Sequence, residues 1–385
     1  MVGWFIRNPE FVTTPLHNLR VLDISTVLAG PNCARYLADF GADVIKVEIP
    51  GVGDSLRSMA WHDPRDGTGL WSKLVNRNKR TIALDLKNDE DRTVFLSLLD
   101  EAHVLVENFR PGTLERLGFA PDVLLARNPQ LVITRISGFG QDGPYASRPG
   151  FASIAESMAG LAAISGEPDG PPALPAIALT DEVTGITAAF ATMVALHSGQ
   201  GQVIDVNLLQ TMFQIMGPLI SLYKLTGTLQ PRLGSGLPYT VPRGVYLCSD
   251  DKWVGVSASS DSVAIRVMGV LGVANDERFS TFSGRMNNRV ELEQLMTQWC
   301  GKRTQAEAVQ LLSDAEAAVG PVFDMSDIAS DQHFAFRNMI PTVGDTPMQG
   351  LIATLSATPG ELRWEGRPLD ADGDDIRTNG WEKSR

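Results

Sequence analysis

Along residues 16–137, short apolar runs alternate with stretches of helical spacing. LRVLDIS, ADVIKVEIP, IALDL, HVLVENF and QLVITRISGFG each hold adjacent apolar residues rather than a strict in-and-out alternation. That is the pattern of strands covered on both faces. Between them, GPNCARYLADFG, KNDEDRTVFLSLLDEA, a segment opening near RPGTLERLG, and PDVLLARNP carry apolar residues at helical intervals. Gly30 and Pro31 suit a tight turn into the first helix, since glycine permits close approach and proline fits the first helical turn. The alternation predicts an α/β fold built on a parallel sheet with helices on both faces. Ligands in such folds bind beyond the carboxyl ends of the strands. The loops to watch therefore follow Ser25, Glu48, Leu86, Asn108 and Ser137.

Beyond the sheet, FASIAESMAGLAAISG reads as helical, GEPDGPPALPA as a loop, and TDEVTGITAAFATMVALHSG as a long helix. QVIDVNLL adds a strand, and LQTMFQIMGPLISLYKLTG a helix kinked at Pro218. The periodicity breaks in TLQPRLGSGLPYTVPRG. GVYLCSDDKWVGVSAS then predicts a hairpin about Asp250 and Asp251, followed by helices in SVAIRVMGVLG and NRVELEQLMTQWCGKR. These assignments give a large domain over residues 1–225 and a smaller α+β domain over 226–330. A return segment over 331–385 reads as irregular and packs back on the large domain.

Composition narrows the function classes. A chain of 385 residues with 43% apolar content favours two cores over one. A net charge of −12 argues against nucleic acid as a partner. No apolar run approaches the length of a membrane span, and MVGWFIRNPEF lacks the design of a signal peptide, so no membrane partner is expected. Cys33, Cys248 and Cys300 lie far apart, which suits a reducing cytoplasm and gives no metal-ligand pattern. A cytoplasmic protein without a metal is the expectation.

Few groups offer chemistry. VLAGPNC lacks the GxGxxG spacing of a dinucleotide loop, which leaves Glu48 a weak match for a ribose-binding acid. Arg77, Lys79, Arg80 and Lys87, with Arg110 and Arg116, read either as a positive collar for a phosphate-bearing ligand or as a solvated charged surface. None of the five histidines stands in a nucleophile motif, and Cys33 reads as a small buried hydrophobe. Asp39, Asp43, Asp85 and Glu107 lie near element ends as caps or loop anchors. Asp181 opens the long helix. Thr180 is positioned to cap that helix, and the helix dipole should lower the Asp181 pKa, with Glu182 opposing. Thr184, one turn on, either orients the carboxylate or bonds within the helix. Locally, Asp181 reads as a structural residue of a helix mouth or as a carboxylate nucleophile.

The ordered series VLAGPNCARYLADFGADVIKVE, GVGDSLR, NRNKRTIALDLK, VLVENFRPGTLERLGF, ISGFGQDGPYASRPGF, LTDEVTG and GQVIDVNLLQ resembles the family III CoA-transferases (CaiB/BaiF-like). In the small domain, NDERFSTFSGRMNNRVELEQLMTQWC and GPVFDMSDIASDQHFAFRNM are similar to that family too, so the resemblance runs from about Leu16 to Met339. It implies a Rossmann-like large domain, a smaller domain and an interlocked homodimer. It also implies that Asp181 is the nucleophile. Leu84, Asp85, Lys87, Asn108, Phe109, Arg110 and Arg116 would contact the adenine and phosphates of coenzyme A. Val27, Leu28 and Ala29 would lie near the acyl end and pantetheine, and Arg148 to Ala152, including Phe151, would wall the nucleophile. Coenzyme A enters as substrate, carried by an acyl-CoA donor and passed to a carboxylic acid acceptor, with no permanently bound cofactor. Backbone N–H groups near Gly138 to Gly140, or in GSGLP, are candidate oxyanion donors.

Two departures shape the expectation. The related 2-methylacyl-CoA racemases use a histidine in a GHD motif, where this chain has Gly150, Phe151 and Ala152. Transfer is therefore favoured over racemisation, and a non-catalytic CoA-binding protein is the remaining alternative. Formyl/oxalate transferases have tyrosine, glutamate and glutamine where this chain has Phe151, Ala152 and Leu28. The apolar trio predicts a larger or more hydrophobic acyl group than oxalate, with a succinyl donor still compatible.

Overall fold

A computed structural model describes residues 14–382; the segment MVGWFIRNPEF, read above as lacking the design of a signal peptide, lies outside them. Two compact units divide the chain. The first comprises residues up to Ala159, Pro175–Gly217 and His333 onward; the second comprises Gly160–Leu174 and Pro218–Gln332.

The first unit opens with β1 (Arg20–Asp23), α1 (Ala29–Asp39), β2 (Asp43–Glu48), α2 (Leu70–Val75) and β3 (Lys79–Ala83). There follow α3 (Asp89–Glu101), β4 (Val104–Glu107), α4 (Thr113–Arg116), α5 (Pro121–Arg127), β5 (Val132–Ser137) and α6 (Ala152–Met158). After α7 (Leu161–Ile164), which belongs to the second unit, the chain returns as α8 (Leu179–Ser198), β6 (Gln202–Asn207) and α9 (Leu208–Ile215). Strands β1 to β6 form one parallel sheet in the order β3-β2-β1-β4-β5-β6. Every residue of β3, β4 and β5 is buried, which accounts for the continuous apolar runs. Strand order reverses on either side of β1, whose Val21 faces Val44 of β2 and Val104 of β4. A crevice therefore opens between the loops that follow β1 and β4, the usual ligand position in such sheets.

Helix α8 positions the candidate nucleophile. Its last residues lead through Gly199 directly into β6, so its C-terminus lies at the amino edge of the sheet. Twenty residues of helix span about 30 Å and six of strand about 20 Å. The first turn of α8 thus reaches the carboxyl edge, where α1 also begins. The two helices meet at Gly185. A methyl group there would come within 2.7 Å of Asn32 Cβ and 3.1 Å of the Ala29 carbonyl oxygen.

Three sequence expectations need correction. Among the described residues α8 is, by length and composition, long enough to cross a bilayer, contrary to the expectation that no run approaches that length. Its Thr, Gly and Ala positions disguise the run, and those are the positions packed within the fold: Thr184, Gly185, Ala188 and Thr192 are buried. At Pro218 the helix stops rather than kinks, because Gly217 is left-handed (φ 60°) and a new helix starts at Leu219. The C-terminal segment contains a helix, Gly373–Asn379, instead of being irregular throughout. Ile376 and Trp381 enter the core with Phe95, Leu98 and Leu99, and Trp381 Nε1 donates to the Leu98 carbonyl (2.8 Å).

The second unit centres on an antiparallel sheet of β7 (Arg243–Leu247), β8 (Trp253–Ser257) and β9 (Val319–Pro321). Asp251 makes the hairpin turn in the left-handed region (φ 58°). Tyr246, Val254, Val256, Val267, Phe279, Leu292 and Met296 form its core.

The tight α1–α8 contact makes Gly185→Ala a direct test of the packing. The added methyl must displace Asn32 or the α1 backbone, so a loss of about 1–3 kcal/mol in urea unfolding is expected. A variant as stable as wild type would show that the helices do not approach this closely.

Candidate active site

The first turn of α8 is anchored on both sides of Asp181. Thr180, fully buried, donates its hydroxyl to Glu156 Oε1 on α6 (2.8 Å). Glu182 accepts from three groups on α1: Asn32 Nδ2 (2.9 Å), Tyr36 OH (3.1 Å) and Arg35 Nη2 (3.4 Å). Ala178, the residue preceding the helix, packs on a small cluster of Leu28, Leu56 and Val75. The start of α8 is therefore packed against the Val27–Leu28 turn through Ala178 and pinned by Thr180 and Glu182, while the Asp181 carboxylate accepts no hydrogen bond from the described residues.

Burial raises the Asp181 pKa to about 6, and the negative charges of Glu182 and Glu156 add to the effect. This corrects the expectation of a lowered pKa. A helix N-terminus contributes roughly 0.3–1 kcal/mol, less than one pKa unit, which desolvation and two nearby carboxylates outweigh. The expected cap is also absent: Thr180 bonds to Glu156, and Ala178 occupies the cap position without a side-chain bond. The Thr184 hydroxyl is buried without a hydrogen-bond partner among the described residues, so it neither orients Asp181 nor bonds within the helix.

The turn between β1 and α1 is fixed residue by residue. Ser25 donates through its N–H (3.0 Å) and its hydroxyl to Asp23. Thr26 exchanges two bonds with the Asn108 side chain (2.7 and 2.6 Å). Val27, at φ 65°, donates its N–H to Asp54. Leu28 is only 4% exposed, so its side chain is spent on packing rather than on an acyl wall. Ala29 begins α1.

Beyond β4 and β5, Asn108, Phe109, Arg110, Arg148 and Phe151 line one small cavity of ≈ 80 Å³ with Pro111, Ser137, Gly138, Ala146 and Gly150. Its size matches a few waters or a phosphate group rather than a whole nucleotide. The loop that closes it is cinched where Gly138 and Gly150 touch; a methyl on either would lie 2.8 Å from the other's Cα. Arg148 stacks over Tyr145 at 4.1 Å. Phe151 is 66% exposed and precedes α6, which starts at Ala152.

The remaining candidates separate. Asp85 and Lys87 lie exposed in the loop after β3, with the Lys87 N–H donating to Asp85 (3.0 Å), while the Leu84 side chain is buried in the core. Arg116, exposed on α4, donates to Thr113 (2.7 Å). The collar expected from Arg77, Lys79 and Arg80 does not form, because all three are buried in ion pairs. Arg77 binds Asp39 (2.6 Å), Lys79 binds Asp23 (2.9 Å) and Arg80 binds Asp43 (2.7 Å). Exposed cations in these loops are Lys87, Arg110, Arg116 and Arg148. Glu48 is likewise committed, to Arg57 (2.6 Å) and the Asp54 N–H (2.7 Å). Of the proposed oxyanion donors, the Gly140 N–H is taken by Ser137 (2.8 Å), Gly234 by Gly166 (3.0 Å) and Gly236 by Leu233 (2.8 Å). No cluster of His, Cys, Asp or Glu among the described residues is arranged to hold a metal. A larger hollow of ≈ 500 Å³ on the second unit's sheet, lined by Ser235, Arg243, Val245 and Gly255, contains none of the candidate residues.

Sequence reasoning did not single out Glu156, Asn32, Arg35, Tyr36 or Asp54. Their only signal was incidental membership of quoted motifs, because each acts through a partner remote in sequence.

The raised pKa has a consequence for stability. A free aspartate loses its proton near 3.8, and folded Asp181 loses it near 6, so the native chain binds more protons between these values. Ionised Asp181 therefore opposes folding above about pH 6, and the penalty fades as pH falls toward about 4. Asp181→Asn is expected to gain on the order of 1–3 kcal/mol at about pH 7.5 and almost nothing at about pH 4, measured by urea unfolding. An equal gain at both pH values would contradict the raised pKa.

With this geometry in place, comparison with known proteins is informative. The family model for CoA-transferase family III matches residues 16–372. A succinyl-CoA–D-citramalate CoA-transferase of Chloroflexus aurantiacus is 38% identical over 377 residues, covering 95% of this chain and 94% of that protein. The beta subunit of a succinyl-CoA–L-malate CoA-transferase of the same organism is 36% identical, covering 93% and 92%. The crystal structure of a CAIB/BAIF family protein from Brucella suis superposes with a TM-score of 0.85 at 30% identity, covering 95% of this chain and 99% of that one. The α/β fold with a parallel-sheet unit, the clustered loops beyond β4 and β5, and matches spanning nearly the whole chain agree, and the protein belongs to the CaiB/BaiF-like family III CoA-transferases.

Proposed function

We propose that this protein transfers coenzyme A from succinyl-CoA to a second carboxylic acid, with Asp181 as the covalent nucleophile. The observation that carries the reading is the Asp181 carboxylate itself: partly buried, without a hydrogen-bond donor among the described residues, in the first turn of a helix whose start packs on the Val27–Leu28 turn through Ala178. A structural carboxylate in this position would be expected to have bonded partners, as Glu182 does.

The chemistry balances without water, redox or metal. An Asp181 oxygen attacks the thioester carbonyl, the C–S bond breaks, and CoA thiolate leaves behind an acyl-aspartyl anhydride. Thiolate then attacks the Asp181 Cγ, releasing the donor acid and forming an aspartyl-CoA thioester. The acceptor carboxylate displaces the thiolate to make a second anhydride. Attack of the thiolate on the acceptor's acyl carbon yields the product thioester and restores the Asp181 carboxylate. Arg110 and Arg148, at the cavity beyond β4 and β5, suit the phosphates of coenzyme A, with Lys87 and Arg116 on neighbouring loops. Phe109, Asn108, Asp85 and the Leu84 backbone would border the nucleotide.

Two relatives named for succinyl-CoA and hydroxylated dicarboxylic acids support the succinyl donor and an acceptor of that kind. Burial of Leu28 removes one of the three residues that had argued for an apolar acid. Exposed Phe151 keeps that second reading in view, as an acceptor with an apolar tail packed on the ring. A homodimer is part of the proposal. Ile186, Phe190, Met193 and Val194 leave an apolar stripe exposed along α8, the sort of surface a subunit interface covers.

Incubation with succinyl-CoA, followed by intact mass measurement and hydroxylamine trapping, should place the adduct on Asp181. Adduct formation should fall as pH drops below about 6, as the nucleophile takes up its proton. Asp181→Ala should lower transfer by about 10³-fold or more. Transfer that persists in this variant would sink the mechanism. Across an acceptor panel, D-citramalate and L-malate should outrun branched or aromatic acids; the opposite ranking would establish the apolar reading. Exchange of the α-proton without transfer would mark a racemase, and tight CoA binding with neither activity a non-catalytic binding protein.

A further inference from the structure

The GVGDSLR segment, residues 51–57, lies away from the nucleophile in sequence and has no part in the chemistry above. Its Asp54 is nevertheless tied to the turn expected to receive the acyl end of the substrate. Val27 in that turn is β-branched and sits at φ 65°, a conformation that non-glycine residues avoid because Cβ crowds the carbonyl. Such a residue persists only where its surroundings over-determine it.

Asp54 supplies that determination. Both its carboxylate oxygens lie within reach of the Val27 N–H, at 3.1 and 3.2 Å, and Oδ1 also accepts from Leu56 N–H at 3.0 Å. The Asp54 N–H donates to Glu48 (2.7 Å), which is gripped in turn by Arg57 through Nε (2.8 Å) and Nη2 (2.6 Å). Beneath it, fully buried Lys46 stands 3.4 Å from Asp54 Oδ2 and also donates to the Ser25 carbonyl. Asp54 is itself buried, so this is a built support rather than a surface contact.

We infer that Asp54 is a positioning residue for acyl-CoA, holding Val27 in its left-handed conformation so that the Val27–Ala29 turn is ready to receive the acyl end. The inference rests on the proposed transferase reading, which places that turn at the substrate. It assigns Asp54 no contact with the reacting atoms. A purely structural Asp54 would affect folding stability and leave substrate affinity unchanged.

The test compares Asp54→Ala, Asp54→Asn and the double variant Asp54→Ala/Val27→Gly, with KM for succinyl-CoA, kcat and urea unfolding measured for each. Asp54→Ala is expected to raise KM about ten-fold and to lower kcat by less, with Asp54→Asn, which keeps one acceptor oxygen, in between. Glycine reaches φ 65° without steric cost, so the double variant should recover at least about three-fold in KM while remaining less stable than wild type. An unchanged KM in Asp54→Ala, or no recovery in the double variant, overturns the inference. If Asp54→Ala does not fold, an unchanged KM in Asp54→Asn does the same. Failure of the underlying reading is distinct: wild-type protein would form no adduct on Asp181.

Discussion

The close approach of α1 and α8 is the constraint on which the site depends. It exists because residue 185 is glycine, facing Asn32 and the Ala29 carbonyl across a gap that no side chain can enter. Both helices begin at the same edge of the sheet, so their contact brings the β1–α1 turn and the start of α8 together. Glu182 can then reach three donors on α1, and Ala178 can pack on Leu28. Asp181 is the residue left between these anchors. Its position is set entirely by what its neighbours bind.

Buried charge serves the same end by another route. Asp23, Lys46, Asp54 and Lys79 lie beneath the β1–α1 turn with no exposed surface to speak of. Burial alone would raise the Asp23 pKa, but Lys46 and Lys79 beside it hold it below the usual carboxylate range. Burial lowers Lys79 to about 8, against the pull of Asp23. Desolvation makes such clusters poor sources of net stability compared with apolar packing. Here their geometry fixes a backbone: Asp23 binds Ser25, Lys46 binds the Ser25 carbonyl, and Asp54 binds Val27. Three of the cations that suggested a phosphate collar, Arg77, Lys79 and Arg80, are consumed inside the fold, whereas Lys87, Arg110 and Arg116 stay exposed.

Much of this architecture was legible because buried parallel strands and amphipathic helices leave strong periodic marks. The alternation from LRVLDIS to QLVITRISGFG located five strands and hence the loops that matter. The Asp181 environment was not legible in the same way. Its pKa is raised first by burial, then by Glu182 and by Glu156, 25 positions away in number but across one helix contact in space; a local reading saw the dipole and Glu182 but neither the burial nor Glu156. Arg77, Lys79 and Arg80 were misplaced for a related reason. A charge written in sequence does not reveal a buried partner such as Asp39, Asp23 or Asp43. The order of motifs carried the family, whereas the role of each side chain depended on contacts that sequence order does not encode.

An aspartate kept short of partners suits the proposed chemistry better than a well-solvated one. Hydrogen bonds to its oxygens would stabilise the anion, lower its basicity and disfavour its conversion to an anhydride. Asp181 instead carries its charge partly buried, near two other carboxylates. In the proposed cycle, formation of either the acyl anhydride or the CoA thioester would replace that anion with a neutral group, so the same burial and repulsion that raise its pKa would favour both covalent intermediates. The bias must stay moderate, because each cycle of the proposed chemistry would end by releasing Asp181 as a carboxylate. A pKa near 6 meets both demands: the residue is ionised at neutral pH, yet its anion is the least settled state it occupies.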